Sequence, residues 1–260
     1  MADDLTRVTL NDDACFLFPP GDVYWDRSSG LADYESEIDW VLRRTTQWPY
    51  AMLDAGANYG YWSVLASSSP YGSHLAVAVE PSPRNFEILS CNARANGDRF
   101  RTLRRACFDE SDRRVALYGN KHYGLSLRRD WHPNDIASVE EVETITLDDV
   151  ANLYLPNRPF PPFVKIDVEG SEASAIQGAR RLIAEGALIA YEDHGKDRAH
   201  PSSRLVLALD GVDLWYLPPD RRPMQIETIE QIAAIKIDPV AGYNFFACRH
   251  ASPWARVFEG

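Results

Sequence analysis

Residues 54–60 (DAGANYG) combine an acidic residue with two glycines directly after a short apolar run. Glycine has no Cβ, so Gly56 and Gly60 let the backbone approach a ligand closely. The helix expected to follow offers free N–H groups at its start. Glu80 ends the next apolar run, and a carboxylate there can accept hydrogen bonds from both hydroxyls of a ribose. Together these residues predict a nucleotide-binding site.

A dinucleotide such as NAD, in an oxidoreductase, is the first alternative ligand. The dinucleotide fingerprint places glycines at positions i, i+2 and i+5. Here those positions hold Gly56, Asn58 and Tyr61, so only the first agrees. Asp54 is a poor neighbour for pyrophosphate but suits a ligand that carries an ammonium and a sulfonium group. A tight strand-to-helix turn without any ligand is the purely structural alternative.

A second group of ionisable residues follows two later apolar runs, at residues 163–168 and 187–191. The residues that could converge there are Asp167, Glu169, Glu192, Asp193 and His194. His194 is the natural general base because its pKa lies near the working pH; an ordinary loop histidine is the alternative. Glu192 could orient His194 or pair with Lys165. We expect no metal, although these carboxylates could bind Mg²⁺, which takes oxygen ligands.

Apolar runs alternate with amphipathic segments, which predicts an α/β fold with a mostly parallel sheet and helices on both faces. The seven predicted strands are 50–54, 75–80, 100–107, 163–168, 187–191, 212–217 and 243–249. Helices are predicted at 33–46, 61–69, 82–95 and 171–185, with a helical turn at 148–153 and a helix around 205–209. Ligands bind such sheets beyond the carboxyl ends of the strands, where the strand order reverses. The two groups of residues should meet there.

Two further features complete the predicted organisation. Residues 1–50 should form an irregular segment with short strands and a helix, followed by one domain at 51–260. A hairpin at 115–127 should lie in an insertion at about 110–146, with a further extended piece at 142–146. Several aromatic residues could line an acceptor pocket, although core packing is the alternative for each: Tyr24, Trp25, Tyr61, Trp62, Tyr123 and Trp131.

The composition excludes several classes of partner. The chain has 260 residues and a formal net charge of −11, so a nucleic-acid backbone would be repelled unless basic residues were segregated. The basic clusters at 99–105 and 113–114 are short and predict solvated surface. No apolar run reaches the length of a membrane span, and the early charges are unlike those of a signal peptide. Four scattered cysteines favour a reducing cytoplasm. The sequence does not indicate an oligomeric state.

Three segments resemble motifs of the FkbM-type methyltransferases. DAGANYGYWS at 54–63 is similar to their first motif, AVEPSP at 78–83 to their second, and VKIDVEGSE at 164–172 to their long fourth motif. Shorter similarities lie at 147–150 (LDDV), 177–179 (QGA) and Asn92. The resemblance covers about 34–192. It implies a Rossmann-like class I methyltransferase fold, S-adenosylmethionine as cofactor, and O-methylation, often of a sugar or natural-product hydroxyl.

The resemblance also implies roles for individual residues. The cofactor-binding set is Asp54, Gly56, Ala57, Asn58 and Gly60 around the methionine part, Glu80 on the ribose, and Phe108 and Asp109 near adenine. Asp167 would face the methionine amine or the acceptor. Residues 106–111 depart from the small-serine pattern expected near adenine.

Methyl transfer to a hydroxyl needs an aligned acceptor and a base that removes its proton. The catalytic candidates are His194, Asp167 and Glu192, and the expected partner is a small-molecule or saccharide acceptor. A non-catalytic ligand-binding protein on the same fold is the second alternative. A nucleic-acid methyltransferase is the third, and the acidic charge disfavours it.

Overall fold

The computed structural model describes residues 4–26, 34–131 and 138–259. The start of the predicted first helix at Asp33, part of the N-terminal segment and part of the insertion therefore lie outside the described residues. The strands are β1 (Thr6–Asn11), β2 (Ala14–Phe18), β3 (Met52–Ala55), β4 (Ala76–Val79), β5 (Arg101–Leu103), β6 (Ala106–Cys107), β7 (Arg114–Tyr118), β8 (Ser138–Ile145), β9 (Phe163–Ile166), β10 (Leu188–Glu192), β11 (Val212–Tyr216), β12 (Met224–Ile226) and β13 (Asn244–Arg249). The helices are α1 (Ser36–Arg44), α2 (Tyr61–Ala66), α3 (Pro83–Ala95), α4 (Leu147–Tyr154), α5 (Glu172–Gln177), α6 (Arg180–Ala184), α7 (Pro201–Leu207) and α8 (Ile229–Ile235).

One sheet of eight strands, in the order β12-β11-β13-β10-β9-β3-β4-β5, organises these elements. The five strands from β10 to β5 are parallel, whereas β13, β11 and β12 add antiparallel pairings. The expected α/β arrangement is confirmed, but the predicted count of seven strands is wrong. The sequence prediction missed β12, whose three residues are mostly exposed and form no apolar run.

Two hydrophobic cores cover the two faces of the sheet. One face buries Ile38 of α1, Leu65 of α2 and Leu89 of α3, together with Phe16 of β2. The other face buries side chains of the later helices α4 to α8, such as Val150 of α4. Because both faces are covered, all four residues of β3, β4 and β9 are buried.

The region after β4 departs most from the predicted elements. The predicted third strand at 100–107 is divided, with β5 in the main sheet and β6 paired with β8. Residues 115–127 do not form the predicted two-stranded hairpin, because the first strand of that segment, β7, pairs with β8. The segment after β7 contributes an isolated bridge between Tyr118 and Ser126, and its residues contribute to the wall of a cavity instead.

Two later helical predictions also need correction. The predicted helix at 171–185 is two helices, α5 and α6, and α8 was not predicted. The break contains Gly178, where a Cβ would lie 2.1 Å from the carbonyl oxygen of Phe108. Among the described ranges, no helix combines the length and the apolar character needed to cross a membrane.

Candidate functional site

A cavity of about 800 Å³, including its open mouth, lies at the carboxyl ends of β3, β4 and β9. The strand order reverses between β3 and β9, because the chain continues outward through β4 on one side and β10 on the other. Residues of the predicted motifs line it: Asp54, Gly56, Ala57, Asn58, Glu80, Lys165, Asp167 and Glu169. Aromatic residues complete the wall: Tyr24, Trp25, Tyr34, Tyr61, Trp62, His122 and Tyr123. The position, beyond the strand ends where the strand order reverses, is typical of small-molecule sites.

The glycines after β3 are required by packing inside the protein. Gly56 has a φ of 77°, and a Cβ there would lie 1.7 Å from the carbonyl oxygen of Asp167. Gly60 has a φ of 88°, and its Cβ would lie 2.5 Å from Cδ1 of Leu89 on α3. Gly56 thus lets the ends of β3 and β9 meet. Gly60 starts α2 and is not among the residues that line the cavity.

Glu80 is a buried acceptor on the cavity wall, with 4% of its surface exposed. Its Oε2 accepts a hydrogen bond from the backbone N–H of Asn58, and its Oε1 accepts one from that of Ser82, both at 2.9 Å. Burial raises the pKa of Glu80 to about 7, although these hydrogen bonds favour the ionised form. Oε1 also accepts a hydrogen bond from Nδ2 of Asn85 at 3.4 Å, whereas Oε2 can accept a further one, which suits a hydroxyl of a ribose.

Three more buried acceptors lie beside Glu80. The Nδ2 atoms of Asn58 and Asn85 both donate to the carbonyl of His122, at 3.0 and 2.7 Å. Nε2 of His122 pairs with Asp22 at 3.0 Å, and burial lowers the pKa of this histidine. The neutral ring then carries its proton on Nε2. Within the described ranges, the two Oδ1 atoms and Nδ1 of His122 have no partner. The three residues line the cavity, but these three acceptor atoms are themselves buried within its wall.

Lys165 forms the charged end of the cavity. Its Nζ lies 3.2 Å from Oδ2 of Asp167 and 3.4 Å from Oε2 of Glu35. Burial alone would lower the pKa of Lys165, but Asp167, Glu35 and Asp54 raise it above its ordinary value. Asp54 is 1% exposed and accepts a hydrogen bond from Ser63 at 2.7 Å. Burial raises the pKa of Asp54 and of Glu35, and the Lys165 ammonium lowers both. Three carboxyl groups therefore face one ammonium, an arrangement that suits a ligand with ammonium and sulfonium groups.

The turn after β9 is rigidly held. Glu172 accepts hydrogen bonds from the backbone N–H groups of Val168 and Gly170, at 3.1 and 3.0 Å. Trp131 packs on Gly170, where a Cβ would lie 2.4 Å from the ring, and donates its indole N–H to Glu169 at 3.0 Å. Burial raises the pKa of Glu169 to about 7 and that of Glu172 to about 8. The turn thereby fixes Asp167 and Glu169 in the cavity wall.

His194 and Glu192 are not among the residues that line the cavity. Nδ1 of His194 accepts a hydrogen bond from the backbone N–H of Lys196 at 3.2 Å, and its ring meets Trp131 edge-on at 5.7 Å. A neutral His194 therefore carries its proton on Nε2, so its base function would require this bond to break. The side chain of Glu192 packs against Gly242. Its pKa lies well above the ordinary value, mainly because the group is buried and also because other carboxylates are near.

Asp193 serves a separate buried network. Its carboxylate accepts hydrogen bonds from Nζ of Lys236 and, at 2.5 Å, from the hydroxyl of Ser203. Nζ of Lys236 also contacts Nδ1 of His200 at 2.9 Å. This network anchors α7 to the segment after α8.

Phe108 and Asp109 are also absent from the cavity lining; Ala106 and Cys107 of β6 line the wall instead. The carbonyl of Phe108 packs on Gly178, and Asp109 faces Arg113 at 4.0 Å. Sequence reasoning missed four contributors to the site: Tyr34, Glu35, Asn85 and His122. Only Asn85 had a usable signal, since it follows the AVEPSP segment by two residues. Among the described residues, no group of three or more His, Cys, Asp or Glu side chains is arranged to hold a metal ion.

Solved structures with a similar arrangement include several methyltransferases. The methyltransferase FkbM from Methylobacillus flagellatus is 18% identical, with a TM-score of 0.44, and the match covers 76% of this chain but 43% of that one. An O-methyltransferase from Bacillus cereus, solved in complex with SAH, is 11% identical with a TM-score of 0.47, covering 88% of this chain and 92% of that one. An S-adenosylmethionine-dependent O-methyltransferase from Thermotoga maritima is 13% identical with a TM-score of 0.45, covering 90% and 73%. No curated protein sequence matches the chain.

The family assignment rests on the amino-acid sequence and not on these structural similarities. The FkbM methyltransferase domain matches residues 54–205, which begins at Asp54 in the turn after β3 and extends into α7. This segment contains Glu80 and, at the charged end of the cavity, Asp54, Lys165 and Asp167. The chain belongs to the FkbM methyltransferase family, and its cofactor is S-adenosylmethionine.

Proposed function

We propose that this protein transfers a methyl group from S-adenosylmethionine to a hydroxyl of a small molecule, with sugars and natural-product intermediates as the acceptor classes. The observation that carries this proposal is the position of Asp167. Its side chain is 22% exposed, lines the cavity and is held at 3.2 Å by Lys165. A fixed, accessible carboxylate at this point can take the proton of an acceptor hydroxyl. The four dispersed free cysteines support a reducing cytoplasm as the setting.

The motif residues divide the cavity between cofactor and acceptor. We assign Glu80 to the ribose hydroxyls, and Asp54 with the backbone of Ala57 and Asn58 to the methionine part. The glycines Gly56 and Gly60 act indirectly, by allowing the turn to form. Ala106 and Cys107 are better placed than Phe108 and Asp109 to contact adenine, because they line the cavity: this assignment replaces the one that the resemblance implies.

The bound cofactor supplies an electrophilic methyl group. The protein has to align the acceptor oxygen and accept its proton. We assign the proton to Asp167, with Glu169 beside it on the same turn. His194 and Glu192 become second candidates, since neither lines the cavity. The rings of Tyr24, Tyr34 and Tyr123 provide flat surfaces against which a sugar or a polyketide ring can pack.

Asp167→Asn tests the proposal. With an acceptor found by screening with isotope-labelled cofactor, kcat should fall by ~10²–10⁴-fold, the usual contribution of a general base. His194→Ala should retain most of the wild-type kcat. S-adenosylhomocysteine affinity, measured by calorimetry, should stay near the wild-type value in both variants. Near-full turnover in Asp167→Asn, or a collapse confined to His194→Ala, would show that the proton goes elsewhere.

A further inference from the structure

Glu35 lies before α1, outside the matched family segment, yet reaches the charged end of the cavity. Its backbone adopts a left-handed conformation, φ 41° and ψ 52°, which is strained for a residue other than glycine. Its carboxylate accepts hydrogen bonds from Nε1 of Trp62 at 2.5 Å and from Nδ2 of Asn244 at 3.1 Å. The side chain is 13% exposed. Two donors from distant parts of the chain therefore aim this carboxylate at Lys165.

Lys165 is shared between two carboxylates. Nζ lies 3.2 Å from Asp167 and 3.4 Å from Glu35, and the lysine side chain is 4% exposed. Asp167 lines the cavity, whereas Glu35 does not. Glu35 thus reaches the ammonium without forming part of the cavity wall.

The groups around Asp167 determine how strongly it holds a proton. The carboxyl groups that interact with it are Glu35, Asp54, Glu169, Glu172 and Glu192. Lys165 and the phenols of Tyr24 and Tyr34 complete its ionisable surroundings. An opposite charge nearby weakens a carboxylate as a base, and a like charge strengthens it. Lys165 and Glu35 therefore act on Asp167 in opposite directions.

We propose that Glu35 is a positioning residue for methyl transfer. Because Glu35 shares the Lys165 ammonium with Asp167, Asp167 is a stronger proton acceptor than it would be if Lys165 paired with it alone. The inference rests on the proposed function, in which Asp167 takes the acceptor proton. Glu35 touches neither cofactor nor acceptor in this scheme. It acts through the single ammonium that both carboxylates share.

Glu35→Gln removes the charge and keeps the length of the side chain. Lys165 should then pair with Asp167 alone, so the acid limb of the kcat–pH profile should move to lower pH. The plateau kcat should fall by roughly three- to tenfold, because the efficiency of a general base follows its pKa. Glu35→Asp, which keeps the charge but withdraws it from Lys165, should give a smaller shift in the same direction.

Glu37→Gln is the matched control. Glu37 belongs to α1 and accepts a hydrogen bond from the same Asn244 amide at 2.8 Å, but its ion pair is with Arg221 at 3.8 Å. This variant should keep the wild-type pH profile. A lower kcat in Glu35→Gln with an unmoved acid limb would reduce Glu35 to a structural residue and overturn the inference.

A second readout needs no acceptor. Carboxyl-carbon NMR should show that the pKa of Asp167 falls in Glu35→Gln and stays unchanged in Glu37→Gln. Equal Asp167 pKa values in wild type and Glu35→Gln would overturn the inference, even if methyl transfer is found. Conversely, if no acceptor is ever methylated, the proposed function fails while this titration still decides the role of Glu35. Should Glu35→Gln not fold, Glu35→Asp supplies the same comparison.

Discussion

Glu80 is the residue on which cofactor affinity should depend most. Its two oxygens are held by backbone N–H groups, and Oε2 retains capacity for a ribose hydroxyl. Glu80→Ala should weaken S-adenosylhomocysteine binding by ~1.5–3 kcal/mol, the range for hydrogen bonds to a charged group. Calorimetry of the folded variant measures this directly. Glu87→Ala, which removes an exposed carboxylate from α3, is the control and should bind normally. Unchanged affinity in Glu80→Ala would place the ribose elsewhere.

Single residues show which parts of the site can be predicted from the sequence and which cannot. The spacing of Gly56 and Glu80 was enough to anticipate the cavity, because strand ends in parallel sheets meet at one edge. The packing that requires a glycine at position 56 cannot be seen in the sequence, since it involves the carbonyl of Asp167, more than 100 residues later. Residue type makes His194 a candidate base, and only the structure shows that the backbone N–H of Lys196 donates to its Nδ1. Such local bonds cannot be inferred from residue type.

The contact between α3 and the β1–β2 hairpin is held by asparagines. Asn92 accepts from the backbone N–H of Leu17 at 2.7 Å and donates to the carbonyls of Leu17 and Tyr59, both at 2.9 Å. Asn96 binds the backbone N–H and carbonyl of Cys15 at 3.0 and 2.8 Å. Side chains one helical turn apart thus act as a neighbouring strand for β2.

Asn92→Ala should lower the free energy of unfolding by at least ~1–3 kcal/mol, because it leaves buried backbone groups of β2 and of the turn after β3 unpaired. Urea denaturation measures the loss. Ser90→Ala on the same helix removes a hydrogen bond to Phe86 within α3 and should cost much less. Equal losses in the two variants would mean that the asparagine bonds contribute little.

At the scale of elements, the buried parallel strands were the easiest to predict. Their near-continuous apolar runs follow directly from coverage on both faces. The insertion was harder, because β7 could pair with the next extended segment or with a distant one. The distant partner β8 formed the better ladder, and apolar alternation alone cannot rank two such pairings.

The whole molecule combines a net charge of −11 with a cavity in which buried carboxyl groups outnumber cations. Burial raises the pKa of both Glu80 and Glu169 from 4.5 to about 7. A ligand that brings donors and positive charge favours their ionised forms. Binding should therefore release protons, and S-adenosylmethionine affinity should rise from pH 6 to pH 8. Calorimetry in buffers of different ionisation enthalpy measures both effects; proton uptake would contradict the charge assignment.

The same shifts govern stability. The folded carboxyls hold protons that the unfolded chain has lost above pH 4.5, so the free energy of unfolding should fall as pH rises towards about 7. Cofactor binding offsets this loss. The gain in Tm on adding S-adenosylmethionine should consequently be larger at pH 8 than at pH 6, which differential scanning fluorimetry can test. Equal gains at the two pH values would argue that Glu80 does not meet the cofactor.

Three aromatic residues of the cavity wall, Tyr24, Trp25 and Tyr34, lie outside residues 54–205, which match the family. The strand ends that line the same cavity lie inside that segment. Substitutions at these three rings can therefore change the acceptor surface without changing the residues that the family match contains. Such changes have to be made ring by ring, because Glu35 contacts Lys165 and the backbone of β2 is bound by Asn92 of α3. Engineering towards a new acceptor should accordingly start from these side chains and keep the rest of the N-terminal segment.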